Sequence, residues 1–326
     1  MNDLLTQLDA ITIDFSASGV QTMNIVLAFI MFGVALGIKF SSFKSILRSP
    51  RSLILGLIFQ WLALPAFTFL LIYLFNDFLS PMVAMGMILV ASCPGGNVSN
   101  FMTSFAKGNT ELSVCMTAVS TVFTPLITPL NFSLWGRLYS QFVMESGLRE
   151  VPVLEIAFMP MFEQVFVLLG VPIVLGMLCA RYLPRVTGYL IKPLQIISLL
   201  FFIVMVGVAF SNNFTLFTQY ISLIFVIVLV HNLLALAIGF CGSYMFSLPE
   251  ADARSLTIEV GIQNSGLGLV LLFNPAIFPS EGCGGMLFIT AWWGIWHVIS
   301  GLTVASLFKF QDRYVSKENQ SEQLAL

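Results

Sequence analysis

Ser92-Cys93-Pro94-Gly95-Gly96-Asn97-Val98-Ser99-Asn100 lies inside an apolar run, 82–106, that is otherwise long enough to be one helix. Pro94 removes a backbone donor, and Gly95-Gly96 is the least helical dipeptide available, so the helix is expected to break here. What remains to Ala106 is about 9 residues, or roughly 14 Å of helix, too short to cross a bilayer alone. A second run, 253–275, is interrupted in the same way by Glu259-Val260-Gly261-Ile262-Gln263-Asn264-Ser265-Gly266. Irregular backbone at bilayer depth is tolerated only against protein or a wet cavity. Two runs that each combine glycine with clustered Asn, Gln, Ser or Glu therefore point to two discontinuous helices at a functional centre rather than to ordinary kinks.

Around these breaks the chain is overwhelmingly apolar. Of its 326 residues, 58% are hydrophobic and 9% charged, against roughly 25% charged in an average soluble domain. One soluble core cannot absorb that much apolar surface, so the lipid bilayer is the expected solvent. A net charge of −2 without a dense basic run excludes a nucleic-acid footprint. Cys93, Cys115, Cys179, Cys241 and Cys283 are too far apart for metal-ligand pairs, and they read as small hydrophobes rather than disulfide partners. The N-terminal stretch carries Asp3, Asp9 and Asp14 before its first basic residue, Lys39, and so lacks the basic region of a signal peptide.

Nine continuous apolar runs are long enough to cross a membrane: 20–38, 53–75, 82–106, 110–135, 158–180, 189–211, 216–246, 253–275 and 284–308. Their continuity argues for helices rather than barrel strands. With the N-terminus outside, the inner segments hold Lys39, Lys44, Arg48, Arg51, Lys107, Arg181, Arg185, Lys192, Arg254, Lys309, Arg313 and Lys317. The outer segments hold only Arg137 and Arg149. Positive charge accumulates on the cytoplasmic side, so the expected placement is a plasma (inner) membrane with N-terminus out and C-terminus in. The expected fold class is an all-α polytopic membrane protein with nine transmembrane helices.

The broken runs are the third and eighth, and that offset of five spans implies opposite directions across the membrane. Matching the spans at this offset yields two inverted four-helix repeats, 20–135 and 189–308. An extracellular segment 1–19 precedes the first, an extracellular loop 136–157 and an unpaired helix 158–180 separate them, and a cytoplasmic tail 309–326 follows, expected to fray. Inverted repeats whose broken helices cross near the midplane are the architecture of secondary transporters.

Glu259 is the one clearly intramembrane charge, and no Lys or Arg inside an apolar run can neutralise it. A carboxylate at that depth costs at least about 2.5–3.5 kcal/mol, so a bound cation or a proton is the expected partner. Oxygen donors are at hand: Gln263 and Asn264 on the same broken helix, Ser99 and Asn100 on the other, Ser113 and Thr117 at i,i+4 spacing, and Gln60 within an apolar run. Hard oxygens around one carboxylate suit a hard monovalent cation rather than zinc or copper. Hydroxyls in membrane helices ordinarily bond their own backbone, which accounts for many of the others. Each second half-helix, starting near Val98 and Ser265, offers free N–H groups and a dipole to an anion, with Asn97 and Asn264 beside those starts.

These motifs, together with Trp296-His297 and Ser300-Gly301, resemble the bile acid:sodium symporter family over nearly the whole chain. The resemblance implies a panel domain, a core domain and two sodium ions as coupling cofactors, with no organic cofactor. By motif position the first ion falls on Ser99, Asn100, Ser113, Thr117 and Glu259. The second falls on Gln60, Glu259, Gln263 and the backbone oxygens of Val260 and Ile262. Asn97, Asn264 and His297 fall in the substrate region, while His231 reads as structural. The implied substrate is a small organic anion, either a bile acid-like steroid or a smaller carboxylate, and no obligatory protein partner is evident. Asn97 stands where some bacterial relatives have Thr, and Val298 where they have Asn, so no particular substrate transfers. Proton coupling or uniport on the same fold is the competing reading. An intramembrane enzyme is more remote, since Glu259 has no second acid and no Ser-His or Cys-His pairing is apparent.

Overall fold

The structure, a computed structural model, describes residues 7–9, 17–38, 50–96, 98–146, 158–211, 214–275, 277–279 and 282–325. The described residues form helices and connecting turns, with no strand among them. We number the helices α1 (Ala17–Leu36), α2 (Pro50–Leu74), α3 (Pro81–Ser92), α4 (Val98–Phe105), α5 (Thr110–Ser146), α6 (Phe158–Tyr182), α7 (Pro184–Ser211), α8 (Phe214–Met245), α9 (Glu250–Gly261), α10 (Ser265–Leu272) and α11 (Gly284–Ala325). Six stretches among the described residues are long and apolar enough to cross a membrane: α2, α5, α6, α8, the α9–α10 pair and α11.

The distribution of polarity is that of a protein dissolved in lipid. Ile54, Leu62, Phe67 and Leu74 on α2, and Val167, Val174 and Leu175 on α6, face outward, whereas Gln60, Ser99, Ser113, Asn232, Glu259 and Gln263 are buried. Hydrocarbon tolerates the first set and penalises the second, so the polar groups gather inside and bond one another.

Both expected breaks are present and they match in form. α3 spans 12 residues and α4 spans 8; α9 spans 12 and α10 spans 8. The residues that end the first halves, Cys93 (φ −101°, ψ 93°) and Ile262 (φ −109°, ψ 104°), take nearly the same extended conformation. The two broken elements run in opposite directions. Arg254 in the second turn of α9 donates to the carbonyl of Ala106, just past α4 (3.0 Å), and Asn109 N donates to Ala251 O (2.9 Å), so the end of α4 and the start of α9 share one face. At the centre, Asn264 N donates to Cys93 O (3.2 Å), tying one break to the other.

Two packing groups surround this crossing. α1 packs against α6 and α7, while α2–α5 and α8–α11 enclose the breaks, and α6 also leans on α5. Close approach fixes several contacts; a side chain at Gly176 of α6 would strike Phe32 O and the Ala35 side chain of α1 at 2.7 Å. At the end where α4 meets α9, Arg254 also pairs with Asp312 (2.6 Å) and Glu250, and Lys107 pairs with Asp312 (3.3 Å). There Asp252 accepts from Ser52 (2.5 Å) and Asn109 (2.8 Å).

Two expected boundaries move. The loop placed at 136–157 is helix as far as Ser146, because Trp135, Leu138, Tyr139, Phe142 and Val143 continue the apolar spacing of α5 while Arg137, Gln141 and Glu145 fall on its other side. Residues 147–157 lie outside the described residues. The tail from Lys309, expected to fray, continues α11 to Ala325 through good helix formers such as Lys, Glu, Gln and Ala. Of the N-terminal segment 1–19, Leu8 is buried, and Asp9 accepts from Ser80 Oγ (2.8 Å) and Met82 N (3.2 Å) at the start of α3.

Candidate functional site

Glu259 sits in the last turn of α9, fully buried. Ser99 Oγ donates to its Oε1 at 2.7 Å, Ser113 Oγ makes a very short bond to the same oxygen, and Thr117 Oγ1 lies 3.3 Å from Oε2. Asn100 Oδ1 joins the group, 2.8 Å from Ser113 Oγ and 3.3 Å from Thr117 Oγ1. The helix geometry explains the convergence. α4 begins at Val98, so Ser99 and Asn100 fall on its first turn, and Ser113 and Thr117 stand one turn apart on the face of α5 that meets α4 and α9.

Proton counting shows what this cluster lacks. Each hydroxyl has one proton, yet Ser99 is within reach of both Gly96 O (2.7 Å) and Glu259, and Ser113 of both Asn100 Oδ1 and Glu259. Acceptors outnumber donors, and unused lone pairs from three helices face one point. No Lys or Arg side chain bonds Glu259 among the described residues. Arg254, the basic residue of the same helix, is engaged by Asp312, Glu250 and Ala106 O. Oxygens of this kind around one carboxylate suit a small hard cation better than a soft metal. Among the described residues no three His, Cys, Asp or Glu side chains gather into a softer metal site.

A second group forms around the end of α9. The primary amides of Gln60, Gln263 and Asn232 donate to three successive carbonyls, Glu259 O (3.1 Å), Val260 O (2.8 Å) and Gly261 O (2.8 Å). These carbonyls end the helix and have no intrahelical partner. Gln263 Oε1 and Asn232 Oδ1 remain buried without donors. Gln60 is presented by a wide turn, Phe59–Ala63, within α2. Pro65 has no N–H to offer Trp61 O one turn back, and Asn131 of α5 takes that carbonyl instead (2.9 Å). Gly95 of the other break completes the wall; a Cβ there would lie 2.7 Å from Ile262 O and 2.9 Å from Gln60 Nε2.

The structure thus brings Gln60, Ser99, Asn100, Ser113, Thr117, Glu259, Val260, Ile262 and Gln263 to one crossing. The residues expected near substrate are less uniform. Asn97 lies outside the described residues. Asn264 caps α10, its side chain accepting from Leu267 N at 3.1 Å. His297 is buried with Nδ1 unpartnered, one turn before Gly301, which abuts Met102 and Ile262. His231 bonds Thr68 (2.8 Å) and lies edge-on to Trp293 at 4.6 Å, joining α2, α8 and α11. Sequence reading missed Ser120, Asn131 and Asn232. Ser120 was findable, since it continues the Ser113–Thr117 face by a further turn; the two asparagines carry no such signal.

The sequence profile of the sodium bile acid symporter family matches residues 24–220. The chain is 30% identical to an uncharacterised sodium-dependent transporter of Bacillus subtilis, over 93% of this chain and 88% of that one. It is 26% identical to the hepatic sodium/bile acid cotransporter of Rattus norvegicus, over 91% of this chain and 79% of that one. Identity to the P3 protein of Homo sapiens is 31% over 70% of this chain, which spans only 46% of that relative. With apolar helices outside, a ring of oxygens inside and these relatives, the chain is a transmembrane, sodium-dependent transporter that belongs to the sodium bile acid symporter family.

Proposed function

We propose that this protein imports a small organic anion together with sodium by alternating access. The observation that carries the reading is the buried Glu259 carboxylate, ringed by Ser99, Asn100, Ser113 and Thr117 and left without a cationic side chain. One ion is assigned to that ring. A second is assigned to Gln60, Glu259, Gln263 and the backbone oxygens of Val260 and Ile262, where Gln263 Oε1 is buried and unpartnered. The anion is assigned to the half-helix starts at Val98 and Ser265, with Asn97, Asn264 and His297 around it. Either a bile acid-like steroid or a smaller carboxylate fits that chemistry.

In this reading nine segments cross the plasma membrane, with the C-terminus cytoplasmic. The clustering of Arg254 and Lys107 with Asp312 at one end supports it. α1, α6 and α7 form the panel against which the remaining helices move as the core. A tenfold sodium gradient supplies about 1.4 kcal/mol per ion and 100 mV about 2.3 kcal/mol per net charge, so two ions with one monoanion carry roughly 5 kcal/mol.

The test is uptake into proteoliposomes of a panel of radiolabelled carboxylates and a bile acid. Accumulation should follow an inward sodium gradient and collapse when an ionophore dissipates it. Uptake that ignores sodium and follows a proton gradient would replace this reading with proton coupling. A substrate chemically altered inside the vesicle would indicate an enzyme.

A further inference from the structure

Hydroxyls inside these helices divide by where their proton goes. Ser92, Thr124, Ser133, Ser243, Thr257, Thr303 and Ser306 each donate to the backbone carbonyl four residues earlier, the default for Ser and Thr in a membrane helix. Ser99, Ser113 and Thr117 instead aim at Glu259. Ser120 behaves like this second set. Its Oγ donates not to its own helix but to Gln60 Oε1, at 2.6 Å, and it is 1% exposed. Spacing along α5 explains why: Ser113, Thr117 and Ser120 share one face, and the last stands a turn further along, opposite α2.

Ser120 and the Glu259 carbonyl together fix which way the Gln60 amide faces: the carbonyl selects the N–H end and the hydroxyl holds the oxygen end. With Oε1 held by the hydroxyl, Nε2 is directed at Glu259 O, 3.1 Å away. A reversed amide would set its oxygen against that carbonyl oxygen. The chain of bonds Ser120–Gln60–Glu259 O therefore tethers the backbone of the same residue whose carboxylate is tethered by Ser99, Ser113 and Thr117. It connects α5 and α2 to the end of α9, where the unpartnered Gln263 Oε1 lies.

We infer that Ser120 is a positioning residue of the ion-binding crossing: acting through Gln60, it orients the second group of oxygens and couples it to the carboxylate cluster. The inference rests on the sodium reading of the crossing proposed above. Ser120 makes no ligand contact in this account; it holds the amide in register so that the two groups respond to sodium together.

The experiment uses the full-length protein in detergent with sodium chloride as the only probe, at ionic strength held constant with potassium chloride. Melting temperature and equilibrium binding of radiolabelled sodium are titrated for wild type, Ser120→Ala and Ser120→Thr. Loss of one neutral hydrogen bond should raise the sodium half-saturation of Ser120→Ala about three- to ten-fold and lower its Hill coefficient towards one. Ser120→Thr, which keeps the hydroxyl, should restore both. A Ser120→Ala protein with wild-type half-saturation and Hill coefficient overturns the inference. So does one that melts lower by the same amount in sodium and potassium with its sodium response intact, since that is a packing defect alone. Should Ser120→Ala fail to fold, the Ser120→Thr and Ser120→Cys titrations decide: threonine must match wild type, and cysteine, a weak donor, must fall below it. Wild-type protein that ignores sodium would instead remove the reading on which the inference stands.

Discussion

Replacing Gly95 by alanine sets a methyl group into the crossing of the two breaks. Among the described residues only Gly282 is a glycine with positive φ, so alanine meets no backbone strain at 95 and the effect is steric. The new Cβ would lie 2.7 Å from Ile262 O, 2.9 Å from Gln60 Nε2 and 3.3 Å from Glu259 O. Bringing the first of these from 2.7 Å to the 3.4 Å at which ordinary contact begins requires a retreat of about 0.7 Å. A binding constellation tolerates only about 0.5 Å of misplacement, and the atom pressed hardest here, Ile262 O, is one of those assigned to the second ion. Overpacking of this kind costs about 1–3 kcal/mol, or roughly five- to hundred-fold in an equilibrium constant. Gly95→Ala should therefore fold, melt below wild type and require at least about five times more sodium for half-maximal stabilisation. Gly188→Ala on α7, where a Cβ meets nothing within 4 Å, is the control and should match wild type in its sodium titration. A Gly95→Ala protein with wild-type sodium half-saturation would refute the close-approach argument.

Two further perturbations separate holding the break together from holding the ends together. Asn232→Ala removes the donor to Gly261 O and leaves a buried carbonyl unsatisfied; it should cost about 1–3 kcal/mol and lower the melting temperature in sodium and potassium alike. An unchanged melting temperature would mean that water reaches the carbonyl. Asp312→Asn removes the charge from a two-contact pair with the buried Arg254 (2.6 and 3.0 Å) and leaves the guanidinium the exposed Glu250 as its one carboxylate partner, beside Ala106 O. Because Asp312 is itself partly exposed, the loss should be about 1–2 kcal/mol, shrinking as salt is raised, and a loss indifferent to salt would count against an ionic origin.

Pro94, Gly95 and Gly96, and Gly261 with the polar run after it, located both helix breaks in advance, because proline and glycine act on the backbone at their own positions. Ser113 and Thr117 were legible for a related reason: four-residue spacing fixes a shared face without reference to anything else. What escaped depended on partners far along the chain. Asn131 takes Trp61 O and so supports the turn that presents Gln60, 70 positions away. Asn232 reaches Gly261 O across 29 positions. Nothing in the sequence around Arg254 announced Asp312, 58 residues later. The loop expected at 136–157 starts too early for a different reason: the charges Glu145, Arg149, Glu150 and Glu155 suggest solvent, although the apolar spacing continues as far as Ser146.

The central claim is that Glu259 and its ring of oxygens hold sodium. The most direct measurement compares melting of wild type and Glu259→Gln in sodium and potassium at equal ionic strength. Glutamine keeps the shape and removes the buried charge, so the variant should melt at or above wild type in potassium. Wild type should gain stability in sodium with saturation, reaching about 2.7 kcal/mol at a hundred times its dissociation constant, and Glu259→Gln should gain nothing. A wild type that melts identically in both salts, or a Glu259→Gln protein that keeps the full sodium increment, would contradict the account.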